Sequence, residues 1–229
     1  MKGNLHPITQ FLRHTITIFD ELGFDVYESP EVENEWYNFD SLNVAANHPA
    51  RDVQDTFWLT DGRLLRTQTS SGQVRYGETH KPPIKTVVPG QIFRNEATDA
   101  KHEATFYQLE GLYIDKNVKV GHLFGMLKEF FKKLYGPETK IRLRPHYFPY
   151  TEPSFEVEVM YRGNWLELLG AGMVHPKVIK NMGFDPTKYS GYAFGLGIDR
   201  LVMLKYGIED IRLLRSGDLR FLKQFGGEK

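Results

Sequence analysis

Arg94, Glu96, Phe106, Gln108 and Glu110 put a guanidinium, two carboxylates, an amide and an aromatic ring into one short stretch of the chain. They fall on two runs, Gln91 to Glu96 and Phe106 to Leu112, in which polar residues recur every second position. Strand geometry places Ile92, Arg94 and Glu96 on one face of the first run, and Phe106, Gln108 and Glu110 on one face of the second. Paired as an antiparallel hairpin, the two runs present all these groups on a single surface. A solvated outer hairpin face fits the alternation alone equally well. Two details weigh for a site: Phe106 shares the face with four polar groups, and the segment Ala97 to Ala104 between the runs is charged, without a Gly or Pro tight-turn signal. Such a segment reads as a mobile flap.

A second cluster lies in Gly191 to Leu204, which reads as strand, glycine turn and helix. Arg200 falls in the helix's opening turn, where backbone donors and a cation favour an anion. The third spaced glycine of the dinucleotide fingerprint is missing, and no Gly-rich loop ends in Lys-Ser/Thr. The neighbouring runs read as hairpins, so neither common parallel nucleotide-binding fold is expected. Leu64 to Ser70 reads as a strand entering a hydroxyl-rich run, with a helix starting near Ser70 or Ser71, both natural caps. Phe39 to Asp55 reads as loop, with Asn47 to Asp52 in it as polar surface, Thr56 to Leu59 as a short strand, and Pro145 to Pro153 as a rigid, extended loop end that could present rings. Gly170-Ala171-Gly172 allows close approach of something flat or, at equal weight, a tight bend.

The elements that must position these residues are legible from periodicity. Ile8, Phe11, Leu12, Ile16, Phe19 and Leu22 recur at spacings of three and four, with Pro7 at the start and Gly23 at the end, predicting a helix over 7–22. Phe24 to Tyr27 predicts a strand, Gly121 to Tyr135 a second amphipathic helix, and Lys140 to Arg144 another strand. Ser154 to Met160 is expected to pair with Trp165 to Leu168 across Arg162-Gly163-Asn164. One compact α+β domain over 1–229, with a mostly antiparallel sheet, accounts for the pattern.

Composition narrows the rest. Lys+Arg 29 balances Asp+Glu 29, so no global field draws nucleic acid and any such contact is local. Without cysteine there is no disulfide, thiol nucleophile or thiolate metal site. No apolar run approaches the ~20 residues needed to span a bilayer, and the start carries no leader pattern; a soluble cytoplasmic protein is expected.

The motifs together resemble the class II aminoacyl-tRNA synthetases, and within them the catalytic core of the phenylalanyl-tRNA synthetase alpha-subunit family. The first helix and strand, ending at Pro30, resemble the first class motif. Phe93-Arg94-Asn95-Glu96 with Phe106 to Gly111 resembles the second, and Gly195 to Arg200 the third. His48 to Asp52, Arg66 to Ser70, Phe148 to Pro153, Gly170 to Pro176 and Gly191 to Gly195 carry the likeness to the subtype.

The resemblance implies an antiparallel sheet flanked by helices and a two-step reaction. Phenylalanine and ATP give phenylalanyl-adenylate and pyrophosphate, and the acyl group then passes to the terminal adenosine of tRNA(Phe). It assigns Arg94 to the carboxylate and α-phosphate, and Arg200 to the tail phosphates. Phe106 stacks on adenine, Glu96 holds the adenine edge or amino group, His102 closes over the phosphates, and Glu167 is an ATP-side carboxylate. Ser70, Gln108 and Glu110 take the phenylalanine ammonium, with Trp58 near its carboxylate end. Phe148 and Tyr150 flank the ring, Gly170 and Gly172 form a wall, and Ala193 is the floor. Glu152 is implied as a ligand to Mg2+ shared with a beta subunit in an α2β2 assembly. Tyr150 departs from the family's usual Phe and brings a hydroxyl to the pocket edge. The likeness starts at the catalytic core, so the family's N-terminal helical arm that grips tRNA is expected to be absent. A paralogue that binds phenylalanine or ATP as a sensor or scaffold, or one that acylates another acceptor, is the alternative.

Overall fold

The computed structural model describes residues 4–52, 55–161 and 163–226, so Val53 and Gln54 of the predicted loop and Arg162 of the predicted turn lie outside the described residues. Helix α1 spans Pro7–Glu21. The His6 imidazole caps it by accepting from the Ile8 amide at 3.2 Å, and Gly23 at φ +79° ends it in the left-handed region. After it come β1 (Asp25–Val26), β2 (Val32–Glu33), α2 (Glu35–Asn38), β3 (Leu64–Leu65) and α3 (Ser70–Thr79). The second half holds β4 (Ile84–Phe93), β5 (Thr105–Asp115), α4 (Val120–Tyr135), β6 (Ile141–Phe148), β7 (Thr151–Tyr161), β8 (Asn164–Val174), α5 (Pro176–Asn181), β9 (Ser190–Gly197), α6 (Ile198–Tyr206) and α7 (Leu219–Leu222).

Seven strands form one sheet in the order β1-β4-β5-β9-β8-β7-β6, antiparallel throughout except for β1 beside β4. Alternation along the strands divides the core in two. On one face, Leu109, Phe194, Leu196 and Val157 pack beneath α1, α4 and α6, with Phe19 stacked on Phe130 at 4.6 Å. On the other, Leu112 and Ile114 pack with Phe39, Leu42, Val74 and Ile179, which α3, α5 and the loop after α2 supply. The second face is only partly covered, and the site lies on it.

Several local expectations change. The first hairpin run was expected to stay extended through Glu96, but β4 stops at Phe93. One more rung forms, from the Arg94 amide to the Ala104 carbonyl at 2.9 Å, and then Asn95 turns away to donate to the Asp55 carbonyl. Ile92 is buried and Glu96 is exposed, so they do not share a solvated face. Thr56 to Leu59 makes only a single bridge, Trp58 to Leu64. Ser70 and Ser71 are the first residues of α3 rather than its cap, which is Thr69. Pro145 does not open a loop: β6 runs through it to Phe148, because β6 is the sheet's edge and its outer side needs no amide donor. Gly170 to Gly172 is uninterrupted strand, not a bend. In the third motif β9 passes straight into α6 through Gly197, without an intervening turn.

Candidate active site

Register assembles the site. Gln108 pairs with Gly197; Glu110 pairs with Gly195, which pairs with Gly170; Leu112 pairs with Ala193, which pairs with Gly172. The long polar side chains of β5 therefore reach out beside a lane of glycine and alanine on β9 and β8. A Cβ on Gly195 would stand 3.2 Å from the Glu110 side chain, and one on Gly170 would stand 2.7 Å from the Phe148 ring. These glycines make room for groups on the sheet surface. Above the lane lies a cavity of about 490 Å3.

Thirteen of the residues singled out from sequence line this cavity: Ser70, Arg94, Glu96, His102, Phe106, Gln108, Glu110, Phe148, Tyr150, Glu167, Gly170, Ala193 and Arg200. Three do not. Trp58 packs against the Phe39 ring, 6.4 Å between centroids. Gly172 lies under the Pro153 carbonyl and Thr151, each 2.6 Å from where its Cβ would be, so the open part of the wall is Gly170. Glu152 is 74% exposed and faces His175 at 3.5 Å.

Phe106, Gln108 and Glu110 point the same way along β5, which sets the ring and the buried carboxylate about 13 Å apart. At the carboxylate end, Glu110 is 6% exposed and accepts from the Ser70 hydroxyl and from Gln73 Nε2 at 3.4 Å. Burial pushes its pKa up to about 7, against the pull of the Ser70 bond and the Arg94 charge. Gln108 is held by the Thr69 amide at 3.3 Å. Phe148 and Tyr150 stack on one another at 5.7 Å and 6°. A third ring between them would need about 9 Å, since each aromatic pair keeps its centroids at least ~4.5 Å apart. The two rings therefore leave no gap for a third ring to stack face to face between them, and the cavity wall they offer is their edges. Burial and the nearby Glu110 charge raise the Tyr150 phenol, keeping it neutral.

At the ring end, the Arg94 guanidinium sits 5.1 Å over Phe106, with Nε donating to the Thr67 carbonyl at 3.2 Å. Arg200, exposed in the first turn of α6, makes no ion pair among the described residues. Loop residues close the side: Asp99 accepts from the amides of Lys101 and His102 and from His102 Nδ1 at 2.9 Å, which raises the imidazole pKa. Glu167 stands 4.0 Å from Arg144 at the outer rim.

Sequence reasoning missed Gln73, Glu103 and Asp199, which also line the cavity. Gln73 was findable, being three residues after Ser70 on one helical face. Asp199 carried no signal beyond its place before Arg200. Among the described residues no group of three His, Asp or Glu is placed to hold a metal ion, and Glu152 has only His175 beside it. The described residues therefore do not build a metal site.

The cavity thus has a buried carboxylate at one end, a cation over an aromatic ring at the other, and an antiparallel sheet as its floor. The family model for the tRNA synthetases class II core domain (F) matches residues 1–225. The chain belongs to the class II aminoacyl-tRNA synthetases. Among curated members it is similar to the phenylalanine–tRNA ligase alpha subunit of Alkaliphilus metalliredigens, 53% identical over 97% of this chain and 69% of the relative. The same subunit of Acetivibrio thermocellus is 50% identical over 98% and 70%, and that of Yersinia enterocolitica 51% over 97% and 68%. Class II synthetases use ATP with Mg2+. As a class II core, this chain has the expected α+β architecture of an antiparallel sheet flanked by helices. No described helix is long and apolar enough to cross a membrane.

Proposed function

We propose that this chain activates phenylalanine with ATP to phenylalanyl-adenylate and transfers the phenylalanyl group to the terminal adenosine of tRNA(Phe), as the alpha subunit of an α2β2 enzyme in the cytoplasm. The observation that carries the reading is the pairing of a buried, serine-bonded Glu110 with two cations, Arg94 and Arg200, in one cavity. Glu110 with Ser70 and Gln108 matches an ammonium group, and the Phe148–Tyr150 pair with Ala193 matches a benzyl side chain.

Activation needs no strong base, because an amino-acid carboxylate is ionised at neutral pH. Its oxygen attacks the α-phosphorus, the bond to the β-phosphate oxygen breaks, and pyrophosphate leaves with the electron pair. The difficulty is bringing two anions together. Arg94 lowers that barrier by lying between them, stacked on Phe106 so that it meets the phosphate already oriented. Arg200 holds the departing phosphates and Phe106 takes the adenine face. Glu96 lies at the adenine edge, His102 on the loop closes the side, and Glu167 bounds the nucleotide's outer edge. Mg2+ belongs to the substrate here, arriving on the ATP phosphates. Trp58 and Glu152, outside the cavity, would join the site only through loop closure or a partner subunit.

The test is phenylalanine-dependent ATP–pyrophosphate exchange, followed by charging of tRNA(Phe), with and without the beta subunit. Exchange and charging in the complex are expected. Exchange driven by another amino acid, or none in the complex, overturns the reading.

A further inference from the structure

We propose that the Arg215–Asp199 pair is a positioning device that sets the distance between Phe106 and Arg200, the two ends of the nucleotide's seat. The inference rests on the ATP-binding reading above. Arg215 directly follows the 3-10 turn Ile211–Leu214 and does not line the cavity. Its Nε and Nη2 donate to the Thr105 carbonyl at 3.2 and 3.1 Å, and Nη2 also donates to Asp199 Oδ1 at 2.6 Å. Asp199 Oδ2 accepts from the Tyr107 amide at 2.6 Å. One ion pair therefore grips both chain neighbours of Phe106 and the residue before Arg200.

Phe106 and Arg200 stand on different elements, the start of β5 and the start of α6. Apart from the pair, the hydrogen bonds between these two ends begin further along, where Gln108 pairs with Gly197, and the apolar packing of β5 on α6 lies on the opposite face of the sheet. The carboxylate is 2% exposed, and a buried anion of that kind is retained only with its cation beside it. The same segment also anchors the loop over the cavity, through the Ile211 amide to the Ala100 carbonyl at 3.0 Å. All three contacts serve the nucleotide end, and none reaches Ser70, Glu110 or Phe148. Loss of the tether is therefore expected to be felt by ATP and not by phenylalanine.

The experiment uses the complex of this chain with its beta subunit, in wild-type, Arg215→Ala and Arg215→Lys forms, with KM for ATP and for phenylalanine measured separately in pyrophosphate exchange. Arg215→Ala should raise KM for ATP about tenfold or more, leave KM for phenylalanine within about twofold of wild type, and recover toward the wild-type ATP value when guanidinium ion is added. A folded Arg215→Ala complex in which neither KM moves, or both rise in parallel, overturns the proposal. If that variant does not assemble, Arg215→Lys carries the same two criteria, because it keeps the charge but cannot reach both acceptors at once. Should the wild-type complex show no phenylalanine-dependent exchange, the functional reading fails instead. Amide hydrogen exchange over 105–107 then still decides the tether: faster exchange in Arg215→Lys is expected, and unchanged exchange overturns it.

Discussion

The Ser70 hydroxyl donates to the Glu110 carboxylate across the contact between α3 and β5, and it does so where both residues are almost wholly removed from water. A serine at the first position of a helix would ordinarily satisfy backbone donors. Here it donates to a side-chain carboxylate instead, alongside Gln73 and within the field of Arg94.

That relationship predicts a pH dependence. The folded-state pKa of Glu110 is pushed up to about 7 from the ordinary 4.5, so the folded protein holds a proton that the unfolded chain has released. The linked stability is fully present below pH 4.5 and is lost as pH rises to 7, by up to about 3 kcal/mol. Glu110→Gln should remove this slope, so its Tm should gain on wild type between pH 5 and pH 8. A bound ammonium favours the ionised form, so phenylalanine should bind more tightly as pH rises through 7 and release a proton on binding. Calorimetry in two buffers of different ionisation enthalpy measures both. A phenylalanine Kd flat from pH 6 to 8 would remove Glu110 from the ammonium site.

Gly170→Ala should separate the two substrates. The added methyl would stand 2.7 Å from Phe148 Cζ and must push that ring toward Tyr150 or into the cavity. KM for phenylalanine should rise about tenfold, worth ~1.4 kcal/mol, with KM for ATP unchanged. Equal effects on both would place the Phe148 ring away from the amino acid.

Ala193 lines the cavity between Leu112 and Gly172 in register. Removing its methyl in Ala193→Gly should deepen the pocket and let para-chlorophenylalanine be activated in pyrophosphate exchange. If the variant uses that analogue no better than wild type does, Ala193 is not the floor.

On the opposite face, Gly111 is a packing requirement. A Cβ there would fall 2.1 Å from the Phe194 ring, which stacks on Phe19 at 5.3 Å. Gly111→Ala should cost about 1–3 kcal/mol, seen as a lower Tm, while the KM values of the surviving folded enzyme stay near wild type. An unchanged Tm would mean that this layer can shift to admit the methyl.

How much of this was legible beforehand follows from the range of the forces involved. Helix α1 and the pairing of β4 with β5 were readable because apolar periodicity is a local record of which face is buried. Thirteen cavity residues were reachable because strand alternation and family motifs mark them by position. The glycine lane was not readable, since it exists only when Gly195 lies beside Gly170, a register set by two separate strand pairings. Edge placement of β6 was hidden for the same reason, and Pro145 pointed to a loop until the strand order showed that its missing donor faced outward. Trp58 and Glu152 show the limit from the other side, since a motif position says that a residue belongs to a site without saying in which closed or assembled state it arrives.

Arg94→Lys tests whether the cation over Phe106 acts through charge or through shape. The guanidinium is held by two contacts, the aromatic face at 5.1 Å and the Thr67 carbonyl at 3.2 Å, and the first depends on its being flat. A lysine keeps the charge and can reach Thr67, but as a strongly hydrated point it has no planar face to lay on the ring and cannot bridge two anions with parallel bonds. If bridging lowers the barrier to adenylate formation, the loss appears in kcat for pyrophosphate exchange, by about 10²–10³-fold, the size seen when one oriented donor is removed. Phenylalanine Kd at equilibrium should weaken far less than kcat falls, because lysine keeps a positive charge for the carboxylate and Glu110, Ser70 and the ring pocket are untouched. A variant retaining more than about a fifth of wild-type kcat would show that charge alone suffices and that the stacking on Phe106 serves only to fill space.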